Sequence, residues 1–281
     1  MKIALIGPGA IGSTFAYQLS RAGHEVTVVA RGARLAYLQG EGAIVLGSGE
    51  RAPVTVADAL DATTPWDLVM VTVLAHQVQA VLPALQASAA RQVMFLFNTF
   101  ESIEPLRDAV GRERALFGFP MGIFALLREG RVLPQIRVGT VSSDPAWAKV
   151  FSAAGIPTSV EPDMQGWLRT HVAVIAPMMT AAAIAFGQKR GLTWAEAGHH
   201  IDALRAGLDA VRAVGSAIRP PLFGPLARLP RFVLAGLFWI ASRTRMVHDL
   251  GSMGPTEPRL LIDMMRAAAP SFAGPLEKVR P

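Results

Sequence analysis

The chain has 281 residues, half of them apolar and only 17% charged, which suits one large domain or two of ordinary size with an ample core. Cysteine is absent, so disulfides, thiolate nucleophiles and cysteine metal sites are excluded. The formal net charge of +6 is scattered, with only a modest cluster at Arg243 and Arg245 and no basic run interleaved with aromatics, so no nucleic-acid partner is expected and an anionic small ligand is. The chain opens directly on a strand pattern, so no signal peptide is expected and a cytoplasmic location is the default.

The first segment reads strand, glycine turn, helix, strand, arginine. Lys2–Ile6 is an apolar strand, Gly7-Pro8-Gly9-Ala10-Ile11-Gly12 fits G-x-G-x-x-G, Ile11–Ala22 carries Ile11, Phe15 and Leu19 on one helical face, and Val26–Ala30 is a second apolar run closed by Arg31. In such a unit Gly7 permits the turn, Gly9 lets the backbone approach a pyrophosphate, and Gly12 lets helix and strand pack closely. The helix start, Ala10 and Ile11, then points free N–H groups and the positive end of its dipole at the phosphates. The pattern predicts dinucleotide binding. A site for NAD normally ends the second strand with Asp or Glu; here Ala30-Arg31 and then Arg34 stand there. A guanidinium pairs with a 2′-phosphate, so the cofactor is read as NADP(H), with Arg31 as the main contact and Arg34 as either a second contact or a solvated helix residue.

Further along, Ala43–Leu46, a Gly47-Ser48-Gly49 turn and Val54–Val56 suggest short strands. Asp67–Val73 and Val93–Phe97 are continuous apolar runs of the kind buried on both faces of a parallel sheet, separated by a helix at His76–Leu85 and followed by one at Glu101–Val110. Ala115–Phe119, Arg131–Leu133 and Ile136–Gly139 are expected to extend the sheet antiparallel, Pro145–Ala153 to be a helix and Pro157–Val160 a last strand. After Asp163 only helices are expected: Met164–Phe186, Trp194–Val214, Phe232–Ser242 and Glu257–Ala268, with Gly274–Pro281 as a tail. The expectation is therefore an α/β protein, with a Rossmann doubly wound parallel sheet over 1–162 and an all-helical substrate or dimerisation domain over 163–281. Thr170–Gln188 has no Asp, Glu, Lys or Arg and approaches the roughly 20 apolar residues of a membrane span, but His171 and Pro177 interrupt it. It is read as the buried central helix of the second domain, with no membrane partner.

Ligands of open parallel sheets bind at strand carboxyl ends, which here present Gly7–Gly12, Arg31, Leu74-Ala75 and Asn98. Leu74 and Ala75 would wall the nicotinamide, and Asn98, polar after a buried strand, would hold a ligand group or cap the following helix. No His, Asp and Glu set has metal-ligand spacing, and His199 and His200, adjacent on a helix, are expected to be solvated.

The glycine motif, Ala30-Arg31-Gly32, Asn98, a central helix with Pro177 and Pro255-Thr256-Glu257 together resemble the ketopantoate reductases (2-dehydropantoate 2-reductases). The resemblance implies an N-terminal Rossmann domain on NADPH, a helical C-terminal domain like that of 6-phosphogluconate dehydrogenases, an active site in the cleft between the two, a homodimer as a candidate assembly, and hydride delivery to a 2-oxo acid while a lysine protonates the carbonyl oxygen. It implies Arg31 as the 2′-phosphate ligand and Asn98 and Glu257 as substrate-site residues. The chain departs from the family at the helix lysine and its two following asparagines, whose ungapped positions hold Leu168, Val172 and Ala176; one gap would align Arg169 with the lysine. Leu74 stands for a family lysine and Arg245 for a serine. Leu168, Val172 and Ala176 would make an apolar wall, so a carbonyl or imine substrate less polar than ketopantoate is expected, in a cleft bounded by Asn98, Leu168, Val172 and Glu257. His171, one turn from Leu168, is then the nominated proton donor, with Arg169, Glu257 and Asn98 as further catalytic candidates. Two alternatives stay open: an NADP(H)-binding regulator without catalysis, and a genuine 2-dehydropantoate 2-reductase with a relocated proton donor.

Overall fold

The computed structural model describes residues 1–252 and 254–281, and for Met246 the backbone alone. It divides into two compact units: Met1–Phe97 with Ile103–Met164, and Asn98–Ser102 with Gln165–Pro281. The short segment Asn98–Ser102, which leaves the end of a strand of the first unit, thus packs as part of the second.

The strands are β1 (Lys2–Ile6), β2 (Glu25–Val29), β3 (Ala43–Val45), β4 (Arg51–Pro53), β5 (Thr55–Ala57), β6 (Leu68–Val71), β7 (Val93–Phe95), β8 (Ala115–Phe119), β9 (Ile123–Arg128), β10 (Arg131–Ile136), β11 (Thr140–Ser142) and β12 (Thr158–Val160). The helices of this unit are α1 (Ala10–Arg21), α2 (Gly32–Glu41), α3 (Leu82–Ala87), α4 (Glu104–Val110) and α5 (Pro145–Ala153). The main sheet runs in the order β12-β11-β8-β7-β6-β1-β2-β5. From β8 to β5 all neighbours are parallel, while β11 meets β8 antiparallel and β12 meets β11 parallel. This is the doubly wound α/β arrangement that alternating apolar runs and helices predict. Strand order reverses between β1 and β6, so the crevice at their carboxyl ends is the ligand position of such folds. β1 and β6 are buried from Ile3 to Ile6 and from Leu68 to Val71, and α1 lays Phe15, Ala16 and Leu19 on the sheet. Phe15 meets Phe151 of α5 edge-on at 5.3 Å.

Two local expectations are corrected, and the short strands expected over 43–56 are found. Of the segments expected to extend the sheet antiparallel, β8 joins it parallel to β7, and β10 does not join it: β9 and β10 pair as a separate hairpin that a bridge from Val132 links to Leu46, with Glu129-Gly130 at its turn, both at positive φ. The helix expected over His76–Leu85 is a 3-10 turn at Ala75–Ala80 followed by α3 from Leu82, with Pro83 in the first turn of α3, where its missing N–H costs nothing. β3 pairs with β4 antiparallel, whereas β5 joins the parallel sheet beside β2.

The second unit contains α6 (Met164–Gln188), α7 (Trp194–Ala213), α8 (Phe223–Leu226), α9 (Arg231–Ala241), α10 (Arg245–Gly251), α11 (Thr256–Ala268) and α12 (Ala273–Glu277). By length and composition α6 could cross a membrane, but Val172, Ala173 and Ala176 are buried in one cluster with Ala203, Ala206 and Val211 of α7 and Leu261, Ile262 and Met265 of α11. Gly207 allows the close approach of α7 to α6, since a Cβ there would lie 3.1 Å from that of Ala173. Thr193 and Glu196 form a reciprocal cap at the start of α7. The expected tail is instead structured: α12 docks Leu276 and, beyond it, Val279 into the same core, and Arg280 pairs with Asp263 of α11 at 2.8 Å. His200 is not solvated but buried, with Nδ1 2.8 Å from the Glu196 carbonyl, and burial pushes its pKa down.

Candidate active site

The glycine turn is built as a cofactor cradle needs. Gly7 has φ +88°, a region that favours glycine, and a Cβ there would lie 2.7 Å from Val73. A Cβ on Gly12 would lie 2.5 Å from the Thr72 hydroxyl and 2.6 Å from the Gly7 carbonyl, so only glycine lets α1 sit this close to β1 and β6. Gly9 is different. A Cβ there would meet no protein atom nearer than the Gly7 carbonyl at 4.0 Å. Its small size serves no internal packing; it leaves exposed backbone open to approach from outside, which fits a pyrophosphate. Gly9 caps α1 without a side chain, so the N–H groups of Ala10, Ile11 and Gly12 have no intrahelical partner and are free to face an anion.

Two side chains hold this turn, Thr72, which the sequence does not single out, and Arg34. The Thr72 hydroxyl, directly after β6, donates toward the Gly7 carbonyl at 2.8 Å. Arg34, read as a second phosphate contact or a solvated helix residue, is half-buried with its donors engaged inside the protein. Its guanidinium donates to the Pro8 carbonyl at 2.9 Å, to the Ser13 hydroxyl at 2.8 Å and to the Gly130 carbonyl at 2.6 Å. It also lies over the Tyr37 ring, 5.3 Å from the centroid. Burial lowers its pKa, though an arginine so far above neutrality keeps its charge. Arg34 thus pins the glycine turn to the β9–β10 hairpin. Arg31, the N-cap of α2, is exposed with its backbone extended. Leu74 is exposed and Ala75 half-buried at the start of the 3-10 turn.

In the second unit Asn98 and Glu257, far apart in sequence, are brought into contact. Asn98 Nδ2 donates to Glu257 Oε1 at 2.8 Å. Glu257 lies in the first turn of α11, where the helix dipole favours a carboxylate. Because a carboxylate only accepts, it fixes the orientation of the amide, and Asn98 Oδ1 points elsewhere. That oxygen is buried and has no hydrogen-bond partner among the described residues. Buried polar atoms are almost always paired, so an orphan acceptor here is a candidate ligand contact.

The segment carrying Asn98 is held by its neighbours. Phe100 is fully buried among the α6, α7 and α11 core residues, and Gln165 donates to the Glu101 carbonyl at 3.1 Å. Arg169 donates to the Phe100 carbonyl at 2.9 Å and to the Ser216 hydroxyl at 2.8 Å. Arg169, a catalytic candidate from the sequence, thus holds the Asn98–Ser102 segment in place.

Two further expectations are corrected. Leu168, Val172 and Ala176 share a face, but that face is sealed: the three are at most 2% exposed, and Val172 and Ala176 pack with Phe100 and Leu261. They are core, because an all-apolar stripe on a helix gains more from covering than from water. His171 stacks on Trp167 at 5.0 Å with the ring planes nearly parallel, and burial lowers its pKa to about 4. At neutral pH the imidazole carries no acidic proton of the imidazolium kind, so it is ill suited to the role of general acid.

The family model described as ketopantoate reductase PanE/ApbA matches residues 3–140. The 2-dehydropantoate 2-reductase of Vibrio cholerae is 30% identical over 202 residues, covering 66% of this chain and 64% of that protein. The enzyme of the same description from Bacillus subtilis is 36% identical over 109 residues, covering 38% of this chain and 36% of that protein. The chain thus spans less than two thirds of the length of these curated relatives. A PanE/ApbA family ketopantoate reductase from Ralstonia eutropha JMP134 shares the fold, with a TM-score of 0.75 at 20% identity over 100% of this chain and 96% of that one. Family model, curated relatives and fold point the same way: over its N-terminal half the chain is similar to the ketopantoate reductases, and it shares their fold along its whole length.

Proposed function

We propose that this protein is an NADPH-dependent reductase acting on the carbonyl or imine group of a small substrate that presents a hydroxyl or amino group to Asn98. The observation that carries this reading is the orphan Asn98 Oδ1 beside the Asn98–Glu257 bond. Both Oδ1 and the Glu257 carboxylate accept hydrogen bonds, so the complementary ligand group is a donor. Gly9 and the start of α1 would hold the pyrophosphate, and Arg31 the 2′-phosphate. When bound, the nicotinamide supplies a hydride. The protein's own part is to fix the turn through Arg34 and Thr72 and to orient the substrate donor through Asn98, itself held by Glu257 and by Arg169 on the Phe100 carbonyl. An apolar substrate wall at Leu168, Val172 and Ala176 is not part of this reading, since those side chains are core.

The second reading, an NADP(H)-binding regulator without catalysis, is favoured by one observation. Counted without a gap the family lysine falls on buried Leu168, with one gap it falls on Arg169, which stays protonated and donates to the Phe100 carbonyl, and burial holds His171 neutral, so neither alignment puts an acid that titrates near neutrality there. NADPH oxidation over a panel of 2-oxo acids, hydroxyketones and imines separates the two, with Asn98→Ala as the control. Turnover of a hydroxyl- or amino-bearing member that Asn98→Ala abolishes supports the reductase. NADPH binding without turnover of any member supports the regulator instead.

A further inference from the structure

The segment from Ala210 to His248 has a composition unlike the rest of the chain: six arginines (212, 219, 228, 231, 243 and 245) and no Asp or Glu. Within it α9 is apolar all round from Phe232 to Ala241. One side is satisfied: Leu234 and Ala235 are buried with Ala181, Ala197 and Ile201, and Phe238 and Trp239 pack against them. The other side is not. Phe232, Val233, Leu237 and Ile240 fall on one helical face, and Phe232, Leu237 and Ile240 are 67%, 57% and 60% exposed. Just before it Leu222 is 73% exposed, and Leu226 and Leu229 are exposed as well. A helix that is hydrophobic all round normally has both faces covered, and exposed apolar side chains gathered on one face mark an interaction site.

The charges around the face decide what covers it. Arg228 and Arg245 are exposed and make no ion pair among the described residues. Arg243 is exposed too, anchored flat on the Trp239 ring at 3.6 Å and donating to the Leu192 carbonyl. The nearby carboxylates on α7 are engaged: Asp202 pairs with Arg231 and Asp209 with Arg212. A second copy related by a twofold axis would bring this surface against itself, arginine facing arginine with no acid in the segment to meet it. An anionic lipid surface meets both demands at once, taking the aromatic and aliphatic side chains at the acyl boundary and the guanidinium groups at the phosphates.

We infer that the α8–α9 face is a peripheral docking surface for membranes containing anionic phospholipid, on which Leu222, Phe232, Leu237 and Ile240 insert shallowly and Arg228, Arg243 and Arg245 contact headgroup phosphates. α6, buried in its own unit, takes no part. This inference is independent of the reductase reading and stands or falls without it.

The test is flotation of the full-length protein with vesicles of phosphatidylcholine alone and of phosphatidylcholine with phosphatidylglycerol, at low and high salt. Binding is expected to the anionic vesicles, weakened by salt and far weaker on the neutral ones. The paired substitutions Phe232→Gln with Leu237→Gln, and Arg228→Glu with Arg245→Glu, are each expected to weaken it by at least about tenfold. All four positions are exposed, so circular-dichroism melting checks that each variant is folded, and Ile240→Lys serves if a pair is not. No flotation with anionic vesicles, or flotation unchanged by folded variants, overturns the inference. So does a dimer, measured by light scattering, that Phe232→Gln with Leu237→Gln dissociates while vesicles fail to bind; the face would then belong to a second copy.

Discussion

Arg34→Ala distinguishes a structural arginine from a cofactor ligand three residues away. Arg34 gives hydrogen bonds to Pro8, Ser13 and Gly130. A hydrogen bond from a charged donor contributes about 1.5–3 kcal/mol. The full sum is not realised, because the guanidinium is partly solvated, its desolvation opposes the gain, and two of the acceptors sit in turns that water can reach after truncation. Counting the equivalent of about one and a half such bonds gives a loss of about 3 kcal/mol. For a chain of this size about 2–4 °C per kcal/mol follows, so the Tm of the apo protein is expected to fall by about 6–12 °C. Affinity for NADPH and NADH should fall together, since the turn that serves both has lost its anchor. Arg31→Ala, by contrast, removes an exposed side chain; its Tm should stay at the wild-type value while the preference for NADPH over NADH drops by about tenfold, or about 1.4 kcal/mol. Thermal melts and titrations of both cofactors on both variants make the comparison. If Arg34→Ala melts like wild type and selectively loses NADPH, Arg34 is the phosphate ligand and the structural assignment is refuted.

Asn98→Ala and Glu257→Gln are expected to lower kcat/KM on a turned-over substrate by about a hundredfold with the NADPH Kd unchanged; a parallel loss of NADPH binding would count against a substrate role. Val172→Asn places an amide in the core and should cost about 3 kcal/mol by urea denaturation; an unchanged midpoint would mean that the position faces solvent. His171 has a folded pKa of about 4, below its unfolded value of about 6.5, so the folded state resists its protonation. Its contribution to stability is therefore present above the unfolded value and lost as pH falls toward about 4. His171→Gln should flatten that part of the stability profile, and an NMR titration of the wild-type imidazole with an ordinary midpoint would refute the burial. Truncation before Gly274 removes buried Leu276 and Val279 and should lower stability by several kcal/mol at about 1.5–3 kcal/mol per side chain; a wild-type melt would restore the reading of a loose tail.

Local pattern determined much of this protein. The run Lys2–Ile6, the glycines at 7, 9 and 12, and the apolar segments at β6 and β7 carry strong short-range signals: fully buried parallel strands need continuous apolar residues, and a tight strand-to-helix turn needs glycine. Asn98 and Glu257 could each be nominated as well, one as a polar residue ending a buried strand and both by family resemblance. What the sequence left open is everything settled by which surface faces which. Arg31 and Arg34 look alike as neighbours of one strand end, yet only the hairpin at Gly130 and the turn at Pro8 decide that Arg34 is consumed internally. The stripe Leu168, Val172, Ala176 reads equally as a pocket wall or a seam, and the close packing of α7 and α11 makes it a seam. His200 looks solvated until Phe238 of α9 covers its ring. The orphaned oxygen of Asn98 follows from a bond across 159 residues of chain. Helix periodicity reports that a face is apolar; only the tertiary structure shows whether something covers it, which is why α6 is core and the outer face of α9 is not.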